Sequence, residues 1–237
     1  MPPSLRELLT EIKAGKDSTI AINGNEPPYH MSVLPTTMMA WTKVRDEQDG
    51  FELVEHPVPS PGECDILVKT LSTSICVTDL HIWLWDEWSR SEVPLDTITG
   101  HETSGYVVSL GDGVDSHKIG DFVSIECHLA CWDCERCNEG NAHICENGAI
   151  FGVHRNGAFA PYFTVPATNA RINPDTMSPA DASIQDPLGN AIHTLTGGPV
   201  KDATVAVSYT HLRAHETRRY LVCSLLHEKN GWGGGGG

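Results

Sequence analysis

The stretch that decides the fold is Cys131-Trp-Asp-Cys134-Glu-Arg-Cys137, followed after seven more residues by Cys145. Four of the eight cysteines in this 237-residue chain lie here. A C-x-x-C turn directs two sulfurs at one point, and a tetrahedral Zn²⁺ takes four thiolates at about 2.3 Å. Such a site has no open coordination position, so the spacing predicts a structural zinc lobe whose polar residues could not fold by burial alone.

Two other uses of these thiols have to be weighed. Adjacent C-x-x-C cysteines make strained disulfides, and nothing else in the chain is typical of secretion. Bacterial ferredoxins bind an iron–sulfur cluster with C-x2-C-x2-C-x3-C-P, whereas here the last gap is longer and Glu146 follows it. The spacing therefore favours zinc as the metal that these cysteines bind, and an iron–sulfur cluster is the main alternative.

Composition excludes several classes of protein. The net charge of −15 argues against nucleic acid or an anionic membrane as partner. No apolar run approaches the roughly 20 residues of a membrane span, and the N-terminus has neither signal-peptide nor transit-peptide character. Unpaired cysteines at Cys64, Cys76 and Cys127 predict a reducing compartment, most simply the cytoplasm.

The pattern of elements predicts a mainly β domain. Residues 1–37 form an extension with one helix that begins at the capping box Ser4-x-x-Glu7. From Met38 onward the chain is rich in short β-type segments bounded by Gly, Pro or Asp, which predicts a partly open barrel with the zinc lobe inserted between strands. The predicted strands are 39–44, 51–54, 66–71, 104–110, 122–127 and 162–165, and the predicted helices are 178–186 and 189–196.

A second set of candidate ligands lies in separate loops. Cys76 and His101 offer one thiolate and one imidazole, and Glu102 or Asp186 could supply a third ligand. Three protein ligands and a water make a catalytic zinc, which lowers the pKa of a bound water or alcohol. Each residue alone is weak evidence, because buried cysteines and histidines are usually structural.

The combination resembles a known family. Cys76, Gly100-His101-Glu102 and the four-cysteine lobe, in this order, are similar to the zinc-containing medium-chain alcohol dehydrogenases. Within that family, Ile75-Cys-Val-Thr-Asp-Leu-His-Ile-Trp-Leu-Trp-Asp-Glu-Trp-Ser89 is most similar to the threonine dehydrogenases, which show ICGTDxHIxxWDEWS, and 186–194 resembles their DPFGNAVHT. The resemblance runs from about residue 38 to residue 207 and implies a GroES-like catalytic domain over 38–198.

The resemblance also implies the role of each residue. Cys76, His101 and Glu102 would hold a catalytic zinc, and the lobe of Cys131, Cys134, Cys137 and Cys145 a structural one. Thr78 and His81 would form a proton relay, and Asp186 would act beside the metal or as an alternative ligand. His193 is expected to be a packed helix histidine.

The chain departs from the family pattern at three places. Val77 stands where the family has Gly, which could crowd the Cys76 loop or restrict its φ, and Pro161 stands where Glu is usual. Residues 199–206 would begin an α/β Rossmann domain, with its first strand at 203–207, but the G-x-G-x-x-G fingerprint that should follow is absent, which predicts truncation. Residues 207–237 resemble a translated sequencing adapter followed by poly-G, so we expect a non-native tail.

The implied activity is the NAD-linked oxidation of L-threonine to 2-amino-3-oxobutanoate by a homo-oligomer, a tetramer by resemblance, that binds one catalytic and one structural zinc. The alternatives are a polyol or simple alcohol dehydrogenase of the same family and a non-catalytic zinc-binding domain. Because the nucleotide domain is missing, the chain as written is predicted to be inactive.

Overall fold

The computed structural model describes residues 34–196 and Gly198. This part of the chain consists mainly of antiparallel strands with few helices, so the prediction of a mainly β fold is confirmed. The strands are β1 (Thr37–Lys43), β2 (Phe51–Pro57), β3 (Asp65–Ser74), β4 (Thr97–Ile98), β5 (Glu102–Leu110), β6 (Phe122–Ile125), β7 (His128–Leu129), β8 (Ala149–Ile150), β9 (Tyr162–Pro166) and β10 (Ala170–Ile172). The helices are α1 (Val77–Leu84), α2 (Glu87–Glu92), α3 (Glu135–Asn138), α4 (Pro179–Ser183) and α5 (Gln185–Thr196).

Three sheets organise these strands. The largest has the order β10-β6-β5-β3-β9, the second is β2-β1-β4, and the third is the ribbon β7-β8. Successive side chains of a strand point to opposite sides of the sheet. Ile66, Leu67 and Val68 of β3 are all buried, so this strand is covered on both faces. Ile66 and Val68 pack into one apolar cluster with Phe163, whereas Leu67 packs into a second cluster with Met38.

The lobe predicted from the cysteines is an insertion closed at its base. Strands β7 and β8 pair antiparallel on either side of it, with Leu129 opposite Ala149. Between Cys131 and Gly148 only Cys137 is buried, and Trp132 and Ile144 are each more than half exposed. Burial of apolar side chains therefore does not hold the lobe together.

Helix α4 docks on the main sheet through small polar side chains. Ser178 caps its N-terminus by accepting from the backbone N–H of Asp181 at 3.1 Å. Ser104 Oγ donates to the carbonyl of Pro179 at 2.8 Å, and the hydroxyls of Ser74 and Ser183 are 2.7 Å apart. These contacts place α5, which follows α4 after one residue, against β5 and β6.

All six predicted strands are present, with ends that differ by a few residues, and the two predicted helices correspond to α4 and α5. Sequence reasoning missed the short helices α1, α2 and α3 and the short strands β4, β7, β8 and β10. The expected N-terminal helix, the expected strand at 203–207 and the tail at 207–237 lie outside the described residues. Among the residues described, no helix is both long enough and apolar enough to cross a membrane.

Candidate metal centres

The pairing of β3 with β5 brings the first candidate ligands together. Ser74, at the end of β3, pairs with Glu102, at the start of β5. Cys76, two residues beyond β3, therefore lies beside His101 and Glu102. One potential ligand atom from each of these three residues lies within 4.8 Å of the others. Both His101 and Glu102 are buried, with 4% and 7% of their surface exposed.

A buried carboxylate that sequence reasoning missed supports this site. Asp79 is the third residue of α1, and its Oδ2 accepts from the backbone N–H of Cys76 at 2.8 Å. Its Oδ1 lies 3.8 Å from Nδ1 of His101. The available signal was an acidic residue in the first turn of a helix, but α1 itself had not been predicted.

The electrostatics of the three ligands favour a cation. Burial by itself would lower the pKa of His101, but the thiol of Cys76 and the carboxylates of Asp79 and Glu102 raise it to about 9. Burial raises the pKa of Asp79 and of Glu102, and the charge of His101 opposes both shifts. Negative groups are thus concentrated in a poorly solvated site, where a bound positive charge would relieve their repulsion.

The residues present fit a zinc ion. A thiol, an imidazole and a carboxyl group are the three ligand types that zinc takes in proteins. Oδ1 of Asp79 and Nδ1 of His101 are buried and have no hydrogen-bond partner among the described residues. A metal on the other ring nitrogen would leave the His101 proton on Nδ1, facing Asp79, which is the usual outer-sphere arrangement of metal-bound histidines.

Asp186 lies in a neighbouring cluster. Its Oδ1 accepts from the backbone N–H of Cys127 at 2.9 Å, and ligand atoms of Asp186, Cys127, Glu126 and His128 lie within 4.8 Å of one another. Burial raises the pKa of Asp186, as does the charge of Glu126. The charge of Asp186 in turn raises the pKa of Glu102. Glu102 is thus grouped with Cys76 and His101, and Asp186 lies beside that group.

The two predicted relay residues lie on α1. Thr78 Oγ1 is 3.7 Å from the sulfur of Cys76. His81 follows three residues later, and residues so spaced share one face of a helix. Nδ1 of His81 lies 2.5 Å from Oδ2 of Asp86. Thr78 therefore lies next to the candidate ligand Cys76, and His81 lies one turn further along the same face of α1.

The four lobe cysteines converge as their spacing predicts. Their sulfurs lie within 4.8 Å of one another, with Cys145 at 3.4 Å from Cys131 and 3.8 Å from Cys134. A zinc tetrahedron with 2.3 Å bonds has sulfur–sulfur edges of about 3.8 Å. All the cysteines in the described part of the chain are unpaired. The donor set and its dimensions therefore fit a closed four-thiolate site.

Backbone N–H groups prepare the lobe for thiolates. Those of Asp133 and Cys134, followed by the side chain of Cys145, lower the pKa of Cys131 to about 6. The backbone of Cys137 and Glu146 lowers the pKa of Cys134. Burial among the other sulfurs raises the pKa of Cys137 to about 12. A cation at the centre would stabilise the charged form of all four thiols.

Glycines pack closely around the loop that carries His101. Gly100 has φ of +89°, and a Cβ there would lie 2.7 Å from the ring of Phe159. A Cβ on Gly157 would lie 2.1 Å from the carbonyl oxygen of Gly100. Val77, in contrast, is the first residue of α1 and does not have a positive φ. The valine therefore does not strain the Cys76 loop through its backbone.

His193 lies on α5, but it is exposed and not packed, and its ring contacts that of His143 edge-on at a centroid distance of 4.9 Å. The expectation of a packed histidine is therefore wrong. The large apolar side chains of α5, Leu188, Ile192 and Leu195, are each more than half exposed, so they do not enclose His193.

Comparison with known proteins agrees with this geometry. Residues 62–175 match the family model of the alcohol dehydrogenase GroES-like domain. The L-threonine 3-dehydrogenase of Pyrococcus horikoshii is 46% identical over 159 residues, which cover 67% of this chain and 46% of that protein. The chain thus spans about half the length of the curated relatives it matches.

Solved structures show the same fold. A cobalt- and zinc-bound thermostable alcohol dehydrogenase from Pyrobaculum aerophilum superposes with a TM-score of 0.55 at 27% identity, covering 63% of this chain and 45% of that one. An alcohol dehydrogenase from E. coli CFT073 complexed with NADH gives a TM-score of 0.61 at 26% identity, covering 69% and 46%. The predicted GroES-like fold is therefore confirmed.

Proposed function

Because the chain belongs to the zinc-containing medium-chain alcohol dehydrogenases, we propose that it is the catalytic part of a zinc-dependent, NAD-linked enzyme that oxidises L-threonine to 2-amino-3-oxobutanoate. The observation that carries the proposal is the convergence of Cys76, His101 and Glu102 where the end of β3 pairs with the start of β5. The threonine dehydrogenases among its relatives support the choice of substrate.

Cys76, His101 and Glu102 would hold the catalytic zinc, with Asp79 orienting the His101 ring through Nδ1. Bound there, zinc supplies Lewis-acid chemistry that lowers the pKa of the substrate hydroxyl. Asp186 would act on the site without binding the metal, because its negative charge raises the pKa of Glu102.

The remaining chemistry of the chain is proton transfer. Thr78 Oγ1, beside Cys76, takes the proton of the substrate hydroxyl and passes its own to His81. The His81 side chain is 29% exposed, so it can deliver that proton to water. NAD⁺, when bound, would accept the hydride from the alcohol carbon. The lobe cysteines would hold a second zinc that is structural.

Zinc content tests the two sites directly. The purified chain should bind two zinc ions, and Cys76→Ser and Cys134→Ser should each remove a different one. Mass spectrometry under native conditions gives the stoichiometry of each variant. One zinc in the wild type, lost in Cys134→Ser and kept in Cys76→Ser, would favour a non-catalytic zinc-binding domain instead.

The enzyme encoded by the complete reading frame tests the reaction. Sequencing the source locus across codon 206 defines that frame, and NADH formation can then be compared with L-threonine and with sorbitol. A strong preference for L-threonine is expected. Equal rates with both substrates would favour a polyol dehydrogenase of the same family.

The free thiols of the described residues support a reducing compartment such as the cytoplasm.

A further inference from the structure

The proposed relay histidine is held by a carboxylate on the next helix. Nδ1 of His81 lies 2.5 Å from Oδ2 of Asp86, and the two side chains are 29% and 36% exposed. The chain reaches this position because Trp85 ends α1 in a left-handed conformation with φ of 54°. That turn folds Asp86 back towards the last turn of α1, where His81 lies.

The carboxylate is itself fixed in place. Asp86 is the N-cap of α2, and its Oδ1 accepts from the backbone N–H and from the hydroxyl of Ser89, both at 2.9 Å. Ser89 is fully buried. Because Oδ1 is committed to the helix cap, Oδ2 keeps a fixed direction towards His81. The rings of Trp88 and His81 lie edge-on to each other, at a centroid distance of 6.4 Å.

The chemistry of the pair sets the position of the proton. Burial acts to raise the pKa of Asp86, but the hydrogen bonds from Ser89 and His81 outweigh it and lower the pKa below its ordinary value. An ionised carboxylate can only accept hydrogen bonds. Nδ1 of His81 must therefore donate, and in a neutral ring Nε2 then carries the lone pair.

We infer that Asp86 is a positioning residue of the proton relay, which holds His81 in the Nδ1–H tautomer so that Nε2 accepts the proton. The inference rests on the proposed function for the role of His81. As Thr78 Oγ1 takes the proton of the substrate hydroxyl, its own proton moves to Nε2. The resulting imidazolium is stabilised by Asp86, and Nε2 then releases its proton to water while Nδ1–H stays on the carboxylate.

A second histidine–carboxylate pair in the chain provides an internal comparison. Nδ1 of His154 accepts from the backbone N–H of Ile150 at 2.9 Å, and Nε2 lies 3.1 Å from Glu92. Here the backbone donor fixes the Nε2–H tautomer whatever the state of Glu92. The two histidines should therefore be opposite tautomers, one set by a carboxylate and the other by the main chain.

The test is nitrogen NMR of the imidazole rings in the zinc-loaded chain, at a pH where they are neutral. Asp86→Asn keeps an oxygen for the helix cap but turns an N–H towards His81, and Asn is an equally good N-cap. We expect Nδ1–H on His81 in the wild type and Nε2–H in Asp86→Asn. Glu92→Gln, the matched control, should leave His154 as Nε2–H. His81→Gln assigns the signals.

An Nε2–H tautomer for His81 in the wild type, or an unchanged Nδ1–H in Asp86→Asn, would overturn the inference. Neither result would bear on zinc binding or on threonine oxidation. In the enzyme from the complete reading frame, we expect Asp86→Asn to lower kcat on the order of 10- to 100-fold, no more than a positioned acid–base group usually contributes. Its KM should stay the same, and Glu92→Gln should leave kcat unchanged. Wild-type kcat in Asp86→Asn would also overturn the inference.

Discussion

Replacing Asp79 with Asn should weaken zinc at the Cys76 site while leaving the lobe zinc in place. The carboxylate has two functions, since Oδ2 accepts from the backbone N–H of Cys76 and Oδ1 faces Nδ1 of His101 at 3.8 Å. Asn retains one acceptor for the Cys76 N–H but removes the negative charge beside His101. The variant should therefore keep the local fold and lose the orientation of the ligand.

The magnitude follows from the position of Asp79 outside the ligand set. Removing an outer-sphere carboxylate typically lowers metal affinity about 10- to 100-fold. That corresponds to roughly 1.4 to 2.8 kcal/mol, since each tenfold change is about 1.4 kcal/mol. The side chain is 8% exposed, so solvent cannot replace the lost charge, and we expect the upper half of this range. Unfolding free energy should change less, because the side-chain oxygen of Asn can still accept from the backbone N–H of the N-cap residue Cys76.

The assay is competition for zinc with a coloured chelator, followed by native mass spectrometry. Wild type, Asp79→Asn and Asp181→Asn are compared, because Asp181 is an exposed carboxylate that is likewise the third residue of its helix, α4, and its hydrogen bonds are with Ser178. Only Asp79→Asn should lose one zinc at low chelator concentration. An unchanged affinity of both zinc ions in Asp79→Asn would refute the view that Asp79 orients His101.

Three further predictions concern the lobe, the glycine loop and a buried lysine. Cys134→Ser should make the lobe sensitive to limited proteolysis without changing the circular dichroism of the main sheet, because apolar burial does not hold the lobe. Gly100→Ala should lower the unfolding free energy by about 1–3 kcal/mol more than Gly120→Ala. Both glycines have positive φ, but only at Gly100 would a Cβ meet another atom, the ring of Phe159 at 2.7 Å; equal denaturation midpoints would contradict this. Burial lowers the pKa of Lys43 to about 8, from 10.5. The unfolded chain then binds more protons between these values, so the unfolding free energy should rise with pH from about 8 to 10.5 relative to Lys43→Met, measured by urea denaturation.

The sequence predicted best what is local. The four lobe cysteines lie within fifteen residues, so their convergence needs only short turns, and their spacing indicated it directly. The β-rich segments were also recognisable because alternation of side chains is a property of each strand by itself. The helices α1 and α2 were missed, because the resemblance of 75–89 to a known motif identified candidate residues but said nothing of their backbone.

The first candidate site needed the resemblance as well as the residues. Cys76 and His101 are separated by 24 residues, and their type alone could not distinguish ligands from packed side chains. Asp79 and Asp86 went unrecognised as partners of His101 and His81. Each acts through a side-chain contact whose geometry depends on where α1 begins and ends.

The sequence by itself therefore determined a lobe of four convergent cysteines, a mainly β domain and the identity of the candidate ligands. Only the tertiary structure decided which of them meet. The register of β3 with β5, in which Ser74 pairs with Glu102, places Cys76 beside His101 and groups Glu102 with them, with Asp186 alongside. Register depends on contacts between strands far apart in the chain, and a shift of one residue would send these side chains to the opposite face of the sheet.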